Sequence, residues 1–237
     1  MTTTTLPRQE VIDGFDRIAR RYDLLTRMNP GYVKHLRWSA QRLRLPPGAR
    51  ILDLCCGTGL STRALLEVYP GAREIVGLDA SAGMLALARE RLTDPRVRLV
   101  EGDAMDPGAA GVTGPFDGIL MAYGIRNVPD PSACLDRIRG LLAPGARVCF
   151  HEYSVRDRPL ARLLWNAVAL GVILPSGAAM TGTTSIWRYL RRSVNDFDGV
   201  AAFKERVALA GLVDVEALPM DGWQRGIVHS FVARRAA

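Results

Sequence analysis

Between Arg50 and Phe150 the chain alternates short apolar runs with stretches whose apolar residues recur at helical spacing. Arg50-Ile-Leu-Asp-Leu-Cys55, Glu74-Ile-Val-Gly-Leu-Asp79, Val97-Arg-Leu-Val-Glu101, Phe116-Asp-Gly-Ile-Leu-Met121 and Ala146-Arg-Val-Cys-Phe150 have the continuous apolar character of buried strands. The intervening Leu60 to Tyr69, Ala82 to Leu92 and Ser132 to Leu142 predict helices, and Pro70-Gly71, Asp94-Pro95 and Pro144-Gly145 mark joins. Repeated strand–helix–strand order predicts a parallel sheet covered by helices on both faces. After Tyr153 the pattern becomes helical over Leu160 to Leu174, Thr184 to Arg192 and Val200 to Ala210. Two closing runs, Val213 to Leu218 and the alternating Gly226 to Ala233, predict an antiparallel edge pair. The expectation is an α/β fold: a doubly wound, Rossmann-like, mostly parallel seven-stranded sheet with an antiparallel C-terminal pair. A helical insertion at about residues 154–195 is expected over the carboxyl ends of the strands, where open α/β sheets bind ligands. With no internal repeat and no linker, residues 1–237 read as one domain, with residues 1–45 as a helical segment over the site.

Composition narrows the picture modestly. An apolar fraction of 48% supports a buried core, and the net charge of +7 is carried almost wholly by arginine, with Lys34 and Lys204 the two lysines. Such a charge favours acidic partners in principle, but no basic run has interleaved aromatics, so nucleic acid is not an expected partner. Cys55, Cys56, Cys134 and Cys149 have no metal-ligand spacing, and reduced thiols in a cytoplasmic protein are expected; no metal is expected. Residues 1–7 lack a signal pattern, and the apolar stretch Leu163 to Pro175 reads as too short to span a bilayer. The helix that contains this stretch carries Arg158 and Arg162 at its start. Two readings stay open for it: a buried element, or a lid touching an isoprenoid tail or a membrane surface. A homodimer is compatible with the sequence.

The strongest chemical signal is Asp53-Leu-Cys-Cys-Gly-Thr-Gly59, a strand running into a glycine-rich turn before a helix. Glycines let backbone approach a ligand, and the amides of the helix start attract an anionic group. Asp79 ends the next strand, where a carboxylate can accept two ribose hydroxyls. Gly102-Asp103-Ala104 ends the third strand, within reach of an exocyclic adenine amine. Singly, Asp53 could equally be a turn cap and Asp79 a helix cap; jointly the three strand tips indicate a nucleoside. A dinucleotide fingerprint would need Gly or Ala where Thr62 stands, so an amino-acid carboxylate suits the turn better than a pyrophosphate. Gly57, Thr58 and Gly59, with Cys55 as a small neighbour, form the turn. Ala80, Met84 and Met105, after the second and third strands, complete the candidate set with Ala122.

The run Leu52-Asp-Leu-Cys-Cys-Gly-Thr-Gly59 resembles the first motif of class I S-adenosylmethionine-dependent methyltransferases. More narrowly, the chain resembles the ubiquinone/menaquinone-biosynthesis C-methyltransferase family. Phe15-Asp-Arg-Ile-Ala-Arg-Arg-Tyr-Asp23 is similar to its N-terminal signature, and Tyr123-Gly-Ile-Arg-Asn-Val128 to its Phe-Gly-Leu/Ile-Arg-Asn-Val segment. Glu152-Tyr-Ser154, Tyr189-Leu-Arg-Arg-Ser193 and Gly226-Ile-Val-His229 are similar to later landmarks. The resemblance implies S-adenosyl-L-methionine as cofactor, with Thr58, Asp79, Asp103 and Ala104 at matching positions. Ala122 stands where the family often has a serine. It also implies Arg126, Asn127 and Tyr22 as the catalytic trio, acting on a small aromatic or quinol-type substrate that can carry a prenyl tail. The stretch from Asn29 to Trp38 and the Gly/Thr-rich segment before Trp187 depart from the pattern, which leaves open a secondary-metabolite paralogue.

Transfer of a methyl group to ring carbon needs a phenolate-like acceptor, which a stabilised oxyanion or a base provides. Arg126 cannot serve as a base, because it stays charged; it can stabilise a phenolate or orient a water. His151 could face the site as a base, although a packed imidazole is the simpler expectation. O- or N-methylation of a small molecule and a non-catalytic S-adenosylmethionine-binding regulator are the alternatives.

Overall fold

The computed structural model describes residues 8–27 and 29–237, with the side chains of residues 8, 11, 22–25 and 27 outside the description. The apolar runs form strands β1 (Arg50–Leu54), β2 (Glu74–Asp79), β3 (Val97–Glu101), β4 (Phe116–Ala122) and β5 (Leu142–Tyr153). Strands β6 (Leu212–Pro219) and β7 (Val228–Arg235) close a seven-stranded sheet in the order β3-β2-β1-β4-β5-β7-β6. Strands β1 to β5 pair in parallel, with Asp53 opposite Gly77 and Leu120. Strand β7 is antiparallel to both β5 and β6, as the alternating closing run predicts. The chain leaves β3 and returns to the far side of β1, so the strand order reverses between β1 and β4. A crevice opens at such a switch point, above the carboxyl ends.

Both faces of the sheet are covered. Leu52, Leu54, Ile119, Met121, Phe150 and Phe231 meet Leu135 and Ile138 of α5 (Pro131–Leu141) and Phe203 and Val207 of α9 (Val200–Leu209). Ile51, Ile75, Leu120 and Cys149 point oppositely, against Leu43 beside α2 (Tyr32–Arg42) and Leu65 of α3 (Leu60–Val68). Helix α4 (Ala82–Arg91) starts at the N-cap Ser81, whose hydroxyl accepts from the Met84 amide. Asp130 caps α5 through the Ser132 and Ala133 amides, with Pro131 at the first helical position.

Two elements depart from the sequence expectation. Pro144-Gly145 does not end a helix before a short strand: β5 already pairs at Leu142, opposite Phe116, and regains regular register at Arg147 opposite Gly118. Gly145, at a left-handed φ of 77°, makes the excursion possible. The apolar helix is also longer than Leu160 to Leu174. It runs as α6 (Pro159–Val168), a π-helical turn over Ala169–Ile173, and α7 (Leu174–Thr181). Pro175, which lacks an N–H to give to the preceding turn, stands directly after the π-helical turn, where the regular bonding ladder is already interrupted. The stretch judged too short to cross a bilayer therefore lies in a 23-residue helix, with a mean hydropathy of 1.6 over an 18-residue window, that meets the length and composition of a spanning helix. One stripe of it, Trp165, Ala169 and Gly177, is buried in the protein.

Helix α1 (Arg8–Arg27) lies between α4 and the insertion. Asp16 accepts hydrogen bonds from the Ser81 hydroxyl and the Gly83 amide, tying α1 to the start of α4. On its other side Ile18 packs against Ile186 and Trp187 of α8 (Ser185–Asp196). Gly177 allows this layer to close, since a Cβ there would stand 2.5 Å from the Trp187 indole.

Candidate active site

A cavity occupies the crevice above β1, β2, β3 and β4, roofed by Ile12 and Phe15 of α1 and by Tyr32 and Leu36 of α2. Its floor follows the expected strand tips: Cys55, Gly57 and Thr58 after β1, Asp79 and Ala80 after β2, Asp103 and Ala104 after β3, and Ala122 after β4. Met84 of α4 lines it too. Asp79 and Asp103 thus share one cavity with Gly57, an arrangement suited to holding the sugar and base of one nucleoside.

Local geometry explains the turn. Gly57 has φ 54°, and a Cβ there would meet nothing within 4 Å, so the backbone lies open to the cavity. Asp79 Oδ2 accepts from the Gly57 amide at 2.8 Å, while Oδ1 accepts from the Ser81 amide at 2.9 Å. Each carboxylate oxygen keeps a second lone pair for a ligand hydroxyl. Burial pushes the Asp79 carboxyl up, against the pull of these amides. Asp103 Oδ1 accepts from the Met105 amide at 2.8 Å, which fixes the loop after β3. No side chain caps α3 behind Gly59, so its first amides are available to an anionic group such as an amino-acid carboxylate.

Three expected cofactor residues stand behind the wall. Asp53 is fully buried beneath the turn, where its Oδ2 accepts from Ser61 Oγ at 2.7 Å and Thr62 Oγ1 at 2.5 Å. This is the turn-anchoring alternative, and burial pushes the Asp53 carboxyl up to about 7. Gly59 begins α3 against Leu92, and Met105 packs into the apolar core. Conversely, Ser61, Ser81, Tyr123, Gly124 and Val128 reach the wall without having been singled out for the cofactor. A Cβ on Gly124 would stand 2.8 Å from the Cys55 Cβ and Sγ, so the Cys55 side chain fits only because position 124 is glycine.

A family model described as the ubiE/COQ5 methyltransferase family matches residues 3–233. The chain belongs to that family. It is an S-adenosylmethionine-dependent methyltransferase, and the open glycine turn with its two acidic strand tips fits that cofactor. It is 36% identical over 203 residues to a demethylmenaquinone methyltransferase of Thermus thermophilus, covering 83% of this chain and 90% of that one. It is 34% identical to a demethylmenaquinone methyltransferase of Lactiplantibacillus plantarum, covering 85% and 86%. A 2-phytyl-1,4-naphtoquinone methyltransferase of Thermosynechococcus vestitus is 32% identical, covering 93% and 97%. Among solved structures, Haemonchus contortus phosphoethanolamine N-methyltransferase 2 superposes with a TM-score of 0.71 at 18% identity, covering 98% of this chain and 61% of that one. The [4+2]-cyclase SpnF superposes with a TM-score of 0.66 at 18% identity, covering 97% and 96%. A cyclase on the same fold means that architecture alone does not assign the reaction; family membership does.

In this ubiE/COQ5-family methyltransferase the expected catalytic trio is divided. Asn127 lines the cavity, donating from Nδ2 to the Tyr123 carbonyl at 2.9 Å and accepting from the Tyr189 hydroxyl at 3.0 Å. Arg126 is not among the lining residues. Its guanidinium is 4% exposed, 2.5 Å from a Glu152 carboxylate that is itself 0% exposed, and it also donates to the Tyr123 carbonyl and to Ser193 Oγ. Burial pushes the Glu152 carboxyl up while Arg126 pulls it down. Tyr22 belongs to α1, but its side chain lies outside the described residues. Sequence alone gives Tyr189 and Ser193 no role; four residues apart on one face of α8, they clamp Asn127 and Arg126 respectively.

Tyr123 is the aromatic wall that sequence reasoning left unassigned. It holds a left-handed φ of 57°, stacks on Tyr32 with ring centroids 5.6 Å apart, and lies 5.0 Å from the Tyr153 ring. Its hydroxyl is 2.9 Å from His151 Nε2, and His151 Nδ1 is 2.7 Å from Ser39 Oγ. Ser39 continues to Ser230, which accepts from Arg42. His151 is thus the packed imidazole of the two readings, and burial drops it to about 3. The unfolded chain takes up this proton first, so the stability due to neutral His151 is complete above pH 6.5 and lost as pH falls toward 3. Urea midpoints at about pH 7 and about pH 5 should show wild-type protein losing roughly 2 kcal/mol relative to His151→Gln. Equal losses in both proteins would contradict a neutral buried imidazole.

Proposed function

We propose that this enzyme methylates a ring carbon of a phenolic or quinol-type acceptor in quinone biosynthesis. The observation that carries the reading is the loop after β4. It presents Tyr123, Gly124, Asn127 and Val128 to the cavity that also holds Asp79 and Asp103, and so brings an aromatic wall to the nucleoside pocket. The demethylmenaquinone and 2-phytyl-1,4-naphtoquinone methyltransferases among its relatives support the same acceptor class.

Bound S-adenosylmethionine supplies a methyl group on a sulfonium, for which the acceptor carbon must be aligned in line and shielded from water. In the reading proposed here, Asp79 and Asp103 hold the nucleoside, and the first amides of α3, which no side chain caps, hold its amino-acid carboxylate. Tyr32 and Tyr123, stacked on each other, flank the acceptor ring, since both border the cavity. The Asn127 amide, fixed by Tyr123 and Tyr189, offers the polar contact for the acceptor oxygen. Arg126 acts from behind. By holding the Tyr123 carbonyl and Glu152 it sets the loop that presents Asn127 to the acceptor.

Incubation with methyl-labelled cofactor and a panel of demethyl-naphthoquinols, benzoquinols and polyphenols tests this directly. Label on ring carbon, located by mass spectrometry and NMR, is the expected product. Label on oxygen or nitrogen would replace the reading with heteroatom methylation, and cofactor binding without transfer to any acceptor would point to a regulatory protein.

A further inference from the structure

The seven exposed large apolar side chains of the described residues are unevenly distributed. Five of them are Leu160 (82% exposed), Leu163 (68%), Leu164 (44%), Leu170 (51%) and Val172 (60%). All five lie within about 18 Å of helix axis, at a rise of ~1.5 Å per residue. They share the outer face of α6 and the π-helical turn, while Trp165 and Ala169 hold the inner face in the protein. A stripe this apolar and this concentrated is not the scattered exposure of an ordinary surface.

Charge identifies its occupant. From Arg158 to Asn195 the sequence contains no Asp or Glu but five arginines, at 158, 162, 188, 191 and 192. Five of the net seven positive charges thus fall within the insertion. Arg158 and Arg162 stand beside Leu160 and Leu163 at the start of the helix and are exposed. A second copy of this chain would bring like charge against like charge, and a basic rim would gain nothing from an apolar peptide. An anionic bilayer surface answers both features, since acyl chains accept the leucines and headgroup phosphates the arginines.

We propose that the outer face of α6 and its π turn docks the enzyme on anionic lipid, with the helix lying in the plane of the interface. A crossing orientation is incompatible with the inner stripe, because Trp165 and Ala169 would have to leave the body of the protein. The same insertion packs through Ile173, Leu174 and Ile186 against Ile18 and Phe15 of α1, and Phe15 lines the cavity. Docking therefore sets the roof of the active site next to the lipid. The inference does not depend on which acceptor is methylated.

The full chain is sedimented with vesicles of phosphatidylcholine alone or with phosphatidylglycerol added, at low and high salt, without any acceptor. Expected is at least about 10-fold stronger partition onto the anionic vesicles, weakened by salt as headgroup attraction is screened. Leu160→Gln/Leu163→Gln should lose partition onto both vesicles by a similar factor, and Arg158→Gln/Arg162→Gln should lose the preference for anionic lipid. Circular dichroism and S-adenosylhomocysteine affinity should stay unchanged in both variants, which separates lost docking from lost folding. Absence of sedimentation, or unaltered sedimentation of the leucine variant, overturns the proposal. So does a dimer, seen by analytical ultracentrifugation, that those leucine substitutions dissociate, because the face would then be a self-interface.

Discussion

Glu152→Ala is expected to cost the fold about 3–5 kcal/mol and to lower turnover about 10²-fold. The stability loss follows from what remains: an Arg126 guanidinium almost sealed from water whose carboxylate partner, 2.5 Å away, is gone. Tyr123 and Ser193 offer it neutral acceptors, too weak to offset desolvation of a full charge. The turnover loss has a separate origin, since Arg126 also holds the Tyr123 carbonyl, and with it the loop that carries Asn127. The double substitution Arg126→Met/Glu152→Met separates the two effects. An apolar replacement of both partners should restore much of the stability, as replacing a buried pair with well-packed apolar side chains commonly does. It should not restore turnover. Chemical denaturation and single-turnover transfer, with S-adenosylhomocysteine affinity as a control, give both readouts. If Glu152→Ala unfolds at the wild-type denaturant concentration, the pair does not carry this weight.

The parallel core was legible because its central strands are buried and apolar: β2 coincides with the run Glu74–Asp79, and the partly exposed edge strand β3 still coincides with Val97–Glu101. Asp79, Asp103 and Gly57 were legible as a set because strand tips on one edge of a parallel sheet must converge. What escaped depends on side-chain direction. Arg126 and Asn127 are neighbours in sequence, yet the short helical turn Ile125–Asn127 sends Asn127 to the cavity and Arg126 behind it to Glu152. No periodicity distinguishes them. Asp53 likewise has the residue type of a ligand contact, but as the fully buried penultimate residue of β1 it bonds the hydroxyls of α3 instead. Tyr123 was hidden for another reason. Its place in the wall depends on a left-handed backbone and on a polar chain through His151, Ser39 and Ser230 drawn from three separate elements. The length of the insertion helix was misjudged because Pro175 reads as a stop, whereas after a π-helical turn it opens a new helical segment.

Asp79→Ala should abolish measurable cofactor binding at ordinary concentrations, weakening S-adenosylhomocysteine affinity by about 10²-fold or more while leaving the protein folded. Two functions meet in this carboxylate. Its bonds to the Gly57 and Ser81 amides shape the turn after β1 and the start of α4, and its remaining lone pairs face the cavity. Hydrogen bonds to a charged acceptor contribute about 1.5–3 kcal/mol each, so losing two ligand hydroxyls gives at least the stated factor. The fold should lose little, because burial already opposes the charge and raises the carboxyl's pKa. That direction carries a second consequence. Acidification protonates Asp79 at a higher pH than an ordinary carboxyl, and its capacity to accept from ribose hydroxyls falls with it, so cofactor affinity should decline before general acid unfolding begins. Asp79→Asn keeps the size but turns a donor toward either the backbone amides or the ligand, and should recover only a small part of the affinity. Calorimetric titration of the three proteins with S-adenosylhomocysteine measures this directly. An alanine variant binding within about threefold of wild type would place the nucleoside elsewhere and detach the β4 loop from the chemistry assigned to it.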